Sequence, residues 1–333
     1  MNVSMLDKKL ASVEEVSAAI EAGKVLWLAG DEYLLKSLPK GKWIGGSIPY
    51  FMGDQGGETT KQKIYVSELD VKIAKRIQIQ FYHSSNIKNI AKDAPDNGFS
   101  ILLIPAFTQI HQDYARFAPE YEDMFLKPIA GWVTGFHLDD MGSATPIVIN
   151  GGTGEVSTDR AVTMHVTLAP GKVANVGIVN VARQSDGDTF EFPETGFSAS
   201  ACLINGEQKN LADYLTENKV DTRFPLVANY SGAMINISFQ EINTENKTVS
   251  FYAPVFNGIQ YKLSKPMDDY VNDFQLALPE LKNISFCCNC VLNYLHLELE
   301  GQKTGTLTGP MTFGEIAYQL LNQTMVYLTI DDE

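Results

Sequence analysis

FSILLIPAF, residues Phe99 to Phe107, decides how the rest of this chain is read. The stretch is apolar almost throughout, with Ser100 the one polar side chain. Such a short run reads as a buried strand, and the sequence after it, through Arg116, reads as a helix. Working upstream, KVLWLAG (Lys24–Gly30) is a second buried strand, followed by a short helix over Glu32–Leu38. KWIGGSIPY (Lys42–Tyr50) is a further strand running into a glycine turn, and Lys63–Leu69 another. Ser12 and Glu15 form a capping box, and Val13, Val16, Ala19 and Ile20 then recur at helical spacing, which predicts a first helix over 12–22. Downstream, GWVTGFHL (Gly131–Leu138), PIVIN (Pro146–Asn150) and AVTMHVTL (Ala161–Leu168) add strands. This half therefore mixes parallel strand–helix–strand units with hairpins.

The second half changes character. Strands are expected over Lys172–Val181, Phe190–Ile204, Leu226–Asn229, Met234–Ile242, Thr248–Tyr252 and Ile259–Leu263, separated by turn formers such as Asp186-Gly187 and Asn257-Gly258. Helices over Leu211–Asn218 and Asp268–Leu278 interrupt them. A polar stretch at Arg183–Asp188 marks a boundary. The expectation is a mixed α/β (α+β) protein of two domains, 1–185 and 186–333, each with mixed β-sheets flanked by helices. No short-period repeat or low-complexity tract is visible.

The chain has 333 residues, is 44% hydrophobic and 20% charged, and carries a net charge of −14. That length suffices for a core that needs no covalent staples. No apolar run approaches the roughly 20 residues of a membrane helix. The first 24 residues carry charges throughout and lack the apolar core of a signal peptide, so the expected setting is cytoplasmic. An acidic surface without a Lys/Arg cluster repels nucleic acid.

The candidate sites are few. FCCNC (Phe286–Cys290) holds Cys287, Cys288 and Cys290, and Cys202 is the only other cysteine. FCCNCVLNYLHLEL is apolar enough to be a strand, on which Cys288 and Cys290 share one face and Cys287 the other. Three thiolates then cannot converge on one ion, and the paired spacing of a zinc site is absent, so no metal and no cofactor are expected. Packing, a pocket wall, and a catalytic or redox role stay open for these thiols. The five histidines are scattered, and His165 and His296 read as core histidines within apolar strands. NGGTGEVSTDR (Asn150–Arg160) only superficially resembles a phosphate loop, because no Gly-Lys-Ser/Thr follows, and a hairpin turn accounts for its glycines. Gly45, Gly46 and Ser47 end a strand, where they form either a backbone nest for a carboxylate or a bend before Ile48-Pro49. Thr312 and Glu315 fit a capping box for a helix over Ile316–Leu321, which leaves Glu315 either a cap or a ligand contact.

These last residues carry a resemblance to the FIST sensory domains, which have N- and C-terminal parts. Cys288-Asn289, Gly309, Gly314-Glu315-Ile316 and Asn322-Gln323-Thr324-Met325-Val326 follow the order in which that family ends. LINGEQKNLADYL (Leu203–Leu215) resembles the segment joining its two parts, and FYAPVFNGIQYKLSKPMDD (Phe251–Asp269) its strand, glycine, strand and helix start. KWIGGSIPYFMG resembles the stretch the family writes as Ile/Val-Gly-Gly-Ser/Cys-Thr. The likeness spans about residues 24 to 330. Two departures are the missing Asn-Gly-Arg after the cysteine and the Ile48-Pro49-Tyr50 turn.

The resemblance implies a free-standing sensory protein that binds a small molecule, such as an amino acid or related metabolite, and signals through a protein partner. Nothing in the sequence resembles a kinase, cyclase or methyl-acceptor module. The ligand pocket is expected between the two parts, with Gly45, Gly46 and Ser47 facing Cys288, Asn289 and Glu315. The rival expectation is an enzyme acting on a small substrate with Cys288 as nucleophile.

Overall fold

A computed structural model describes residues 9–230, 233–267, 269–280 and 282–333. It is an α+β protein of several mixed sheets flanked by helices. Contacts divide the chain into two units. The first holds Met1–Val179, Leu278–Leu320 and Met325–Glu333, and the second Asn180–Ala277 and Leu321–Thr324. The expected split into 1–185 and 186–333 places the first crossing only a few residues away, but residues 278–320 and 325–333 return to the first unit.

The elements of the first unit that matter below are these. Helix α1 (Val13–Glu21) opens with the reciprocal Ser12–Glu15 cap. Strand β1 (Val25–Gly30), helix α2 (Glu32–Lys36) and strand β2 (Lys42–Ser47) form a parallel crossover. The chain then kinks at Ile48-Pro49 and continues as β3 (Tyr50–Gly53) in a different sheet, so KWIGGSIPY serves two sheets. Next come β4 (Ile64–Leu69) and the long β5 (Ala74–Tyr82). FSILLIPAF supplies β6 (Gly98–Pro105), and helix α3 (Gln109–Phe117), capped by the Thr108 side chain, leads to β7 (Ile129–Thr134). GWVTGFHL therefore ends as a strand at Thr134. The hairpin β8 (Val148–Asn150) and β9 (Glu155–Ser157) is the turn expected for NGGTGEVS, and β10 (Ala161–Leu168) and β11 (Lys172–Val179) follow. Finally β12 (Ile284–Cys290), α4 (Val291–His296), β13 (Gly309–Thr312), β14 (Glu315–Ala317) and β15 (Met325–Asp332) close the unit.

These strands make three sheets. The order of the first is Leu10–Ala11, β4, β1, β2, β8, β9. The second runs Gln319–Leu321, β14, β7, β6, β10, β5, and the third β11, β15, β12, β13, β3, Gly56–Thr59. Each sheet holds a parallel pair, β1/β2, β6/β7 or β12/β13, and each of these pairs is joined through a segment that contains a helix. Parallel neighbours need such a crossover, and their strands are hydrophobic on both faces. β1 and β6 are indeed buried along their whole length.

Two local expectations fail here. Ile316–Leu321 is not a helix: β14 and Gln319–Leu321 are strands, with Tyr318 between them at a positive φ of 63°. Thr312 and Glu315 matched the capping pattern, but Glu315 pairs across β14 with Trp132 and has no helix to cap. FCCNCVLNYLHLEL is a strand only to Cys290, and His296 ends α4 instead of lying in a strand.

The second unit is described by itself. A six-stranded sheet runs Glu207–Asn210, Ala201–Ile204, Gln184–Glu191, Gln260–Ser264, Leu226–Tyr230, Ala233–Ile237. A three-stranded sheet runs Gly196–Ala199, Thr248–Val255, Phe239–Asn243. Phe192 packs edge-on against both Phe251 and Tyr261 in its core. Its helices cover Leu211–Glu217 and Tyr270–Ala277, whereas Asp268, the expected start of the second, lies outside the described residues. No helix among the described residues is long and apolar enough to cross a membrane.

Candidate functional site

The parallel pair β1/β2 and the strand β7 end at a cleft of about 320 Å³ in the first unit. Asp31, the residue after β1, lines it and caps α2 by accepting a hydrogen bond from Tyr33 N–H at 3.0 Å. Ser47 ends β2. Its hydroxyl donates to the Gly135 carbonyl (2.7 Å) and accepts from Ile147 N–H (2.9 Å), while Gly135 N–H donates to the Ser47 carbonyl (2.7 Å). Ser47 thus joins the first two sheets at the cleft wall. Beyond β7, Gly135, Phe136 and His137 continue along the cleft. A Cβ on Gly135 would sit 2.5 Å from the Phe313 ring, so the glycine permits that close approach. Phe136 rests against Phe107 and Phe313 at centroid distances of 6.1 and 5.6 Å, which gives the cleft an apolar side.

The opposite chemistry comes from Lys61 and Asp140, whose side chains meet at 2.5 Å. The hydrogen bond to Asp140 raises the Lys61 pKa, so the ammonium stays charged across the physiological range. The turn that carries Asp140 is held from below: Leu138 N–H donates to the Tyr50 hydroxyl at 2.9 Å, and the Tyr50 ring stacks on His137 at 5.4 Å. Burial raises the Tyr50 pKa, keeping that hydroxyl neutral. The cleft therefore presents carboxylates (Asp31, Glu32, Asp140), one ammonium, and an apolar flank. Such a set recognises a small molecule with charges of both signs.

Of the six residues expected to bind ligand, only Ser47 lines this cleft. All six belong to the first unit, so they do not define a cleft between two domains. Gly45 and Gly46 lie on β2 between β1 and β8, and a strand flanked on both sides spends its backbone groups in the ladders. Their lack of a side chain serves packing. A Cβ on Gly46 would fall 2.4 Å from the Thr134 methyl and 3.2 Å from the Trp132 indole nitrogen.

Cys288, Asn289 and Glu315 are buried as well. Cys288 donates its S–H to the Gly131 carbonyl at 3.3 Å. Burial, with the Glu315 carboxylate adding to it, pushes that thiol well above its usual range, and burial alone takes Cys287 up to about 12. A nucleophilic cysteine needs the opposite environment, electropositive and partly exposed. Among the described residues, no three or more His, Cys, Asp or Glu side chains are placed to hold a metal ion.

Asn289 is committed to its own turn. Its Oδ1 accepts from Cys290 N–H (2.7 Å) and from Asn293 Nδ2 (3.0 Å), and so fixes the start of α4. Asn289→Ala is therefore expected to lower the unfolding free energy by roughly 1–3 kcal/mol, the cost of stranding a buried donor. Ligand affinity should stay unchanged. Urea denaturation and ligand titration of the variant check both halves, and weakened binding without loss of stability would return Asn289 to the site.

Asp31, Lys61, Gly135–His137 and Asp140 were not anticipated. Asp31 and Gly135 were within reach, because polar or small residues directly after the carboxyl ends of parallel strands are where α/β proteins bind ligands. Lys61 and Asp140 stand 79 positions apart and give no local signal. No curated protein matches the chain. Residues 11–331 match the family described as "Family of unknown function (DUF6976)", and the chain belongs to that family.

Proposed function

We propose that this protein binds a small polar metabolite of the amino-acid type in the cleft bounded by Asp31, Ser47, Lys61, His137 and Asp140, and that it acts as a sensor. One observation carries the binding half: the carboxyl ends of the parallel pair β1/β2 and of β7 meet at one cleft with charged groups of both signs. Crevices at such strand ends are the usual ligand sites of α/β sheets. The volume of about 320 Å³ lies at the small end of ligand pockets and suits a metabolite instead of a nucleotide. Lys61 would meet a carboxylate, and Asp140 with Asp31 an ammonium. The sensing half, including a protein partner that reads the bound state, rests on the resemblance to FIST domains.

A thermal-shift screen of amino acids and small amines tests this reading. A true ligand at a hundredfold excess over Kd stabilises the folded state by about 2.7 kcal/mol, well within detection. Lys61→Ala and Asp140→Ala, both on partly exposed side chains, should keep the fold and abolish the shift. A screen with no hits, or a shift that survives both substitutions, rejects the cleft as the site.

A further inference from the structure

A second cleft, about 530 Å³, opens in the first unit at the amino ends of β1 and β2, away from the candidate site at their carboxyl ends. Its wall is the outer strand β5 and its rim the tip of the β8–β9 hairpin. The charge of this cleft is opposite to that of the molecule. Lys42, Lys75 and Arg76 line it, and no aspartate or glutamate does, in a chain whose net charge is −14. Some surface lysines, such as Lys36, Lys61, Lys63 and Lys172, are matched with a carboxylate. Among the described residues none of Lys42, Lys75 and Arg76 has such a partner, but the Arg76 guanidinium turns to the Gln78 side-chain oxygen, at 3.3 Å, on the face of β5 opposite Ile77 and Ile79, which leaves Lys42 and Lys75 to the cleft.

The rest of the lining adds a second requirement. Val25, Val71, Ile77 and Ile79 give the cleft an apolar floor beneath its cations. The hairpin at its rim is preset: the Asn150 side-chain oxygen accepts from Gly152 N–H (3.0 Å) and Thr153 N–H (3.4 Å), which turns that acceptor inward to its own loop. Two lysines facing one cleft without counter-charge favour an anion there, which forms charge-assisted hydrogen bonds with them.

We propose that this cleft binds a small organic anion, with its carboxylate or phosphate on Lys42 and Lys75 and its apolar body on Ile77 and Ile79. The site is independent of the Asp140 cleft and takes ligands of a different class.

Isothermal titration of the full chain with 1-naphthoate, 1-naphthyl phosphate, inorganic phosphate and the neutral 1-naphthalenemethanol tests it. At least one naphthyl anion should bind saturably, and the tighter of the two identifies the preferred head group. Inorganic phosphate and the neutral alcohol should each bind about tenfold more weakly or worse, since each lacks half of the contacts. The double variant Lys42→Glu/Lys75→Glu, on exposed strand positions, should lose about tenfold or more in affinity. Its thermal melt should match the parent, and Asp140→Ala should bind as the parent does. Failure of both anions to saturate, equal binding of the neutral alcohol, or unchanged affinity in the Lys42/Lys75 variant would each overturn the proposal.

Discussion

Gly131→Ala is expected to leave little soluble, folded protein. A Cβ at this position would lie 1.8 Å from the Leu102 carbonyl oxygen and 2.7 Å from its carbonyl carbon, and backbone cannot rotate away as a side chain can. Gly131 sits in the middle of β7, paired with Leu102 of β6 on one side and Ile316 of β14 on the other. Its own carbonyl accepts the Cys288 S–H. To make room, β7 must move, and it carries with it Thr134 against Gly46 and the Gly135–Ser47 bonds at the cleft. Overpacking that forces backbone shifts costs roughly 1–3 kcal/mol in ordinary cores, and more where no relaxation is open. Here about 4 kcal/mol or more is expected, a large share of the 5–15 kcal/mol that holds a typical domain together. Gly187→Ala is the control, since a Cβ there meets only Ser185 Oγ at 3.5 Å. That change should stay within about 0.5 kcal/mol. Soluble yield and urea midpoints compare the two, and a Gly131→Ala protein that unfolds with the parent would show that the strands are not so closely set.

The same neighbourhood shows where sequence reading reaches its limit. FSILLIPAF was legible because a buried parallel strand needs apolar residues on both faces, and its own composition states that need. The Ser12–Glu15 cap and the Asn150 hairpin were legible for the same reason: each is closed by contacts within a few residues. The sheets around them were not. β3 pairs with β13 through Met52–Gly309 and Phe51–Pro310, more than 250 positions apart, and β11 pairs with β15 along its whole length. Nothing local in either partner specifies the other. Hence the last 56 residues read as part of a second domain, although most of them complete the first unit. Glu315 failed for a related reason. Thr-x-x-Glu is a local pattern, but pairing of β14 with β7 overrides it and buries the carboxylate between strands. The candidate site was half visible: Ser47 and the strand ends follow from local sequence, whereas the Lys61–Asp140 pair depends on tertiary contact alone.

Acid should unfold the protein earlier than its surface carboxylates would. His165 lies inside β10 as a core histidine, its Nδ1 2.7 Å from Ser100 Oγ and its Nε2 3.0 Å from the Tyr82 hydroxyl, which in turn donates to Asp93 at 2.9 Å. Burial lowers its pKa from 6.5 to about 4, with Asp93 only partly offsetting the shift. His111, buried in α3, is likewise lowered by burial from 6.5 to about 4. In the unfolded chain both rings regain the ordinary value, so between about pH 6.5 and pH 4 the unfolded state binds more protons than the folded one. Stability is then fully present above about pH 6.5 and is lost as pH falls towards 4. At 1.36 kcal/mol per pKa unit, each ring withdraws roughly 3 kcal/mol by pH 4, a large share of a normal domain's stability. Urea denaturation at about pH 7, 5.5 and 4.5 should show this decline before most carboxylates titrate. His165→Gln, which cannot take up the proton, should remove about half of the drop whatever it does to stability at pH 7. An unfolding free energy that stays level from pH 6.5 to 4.5, or a decline of the same size in His165→Gln, would mean that the buried Ser100–His165–Tyr82–Asp93 chain accommodates the proton without loss.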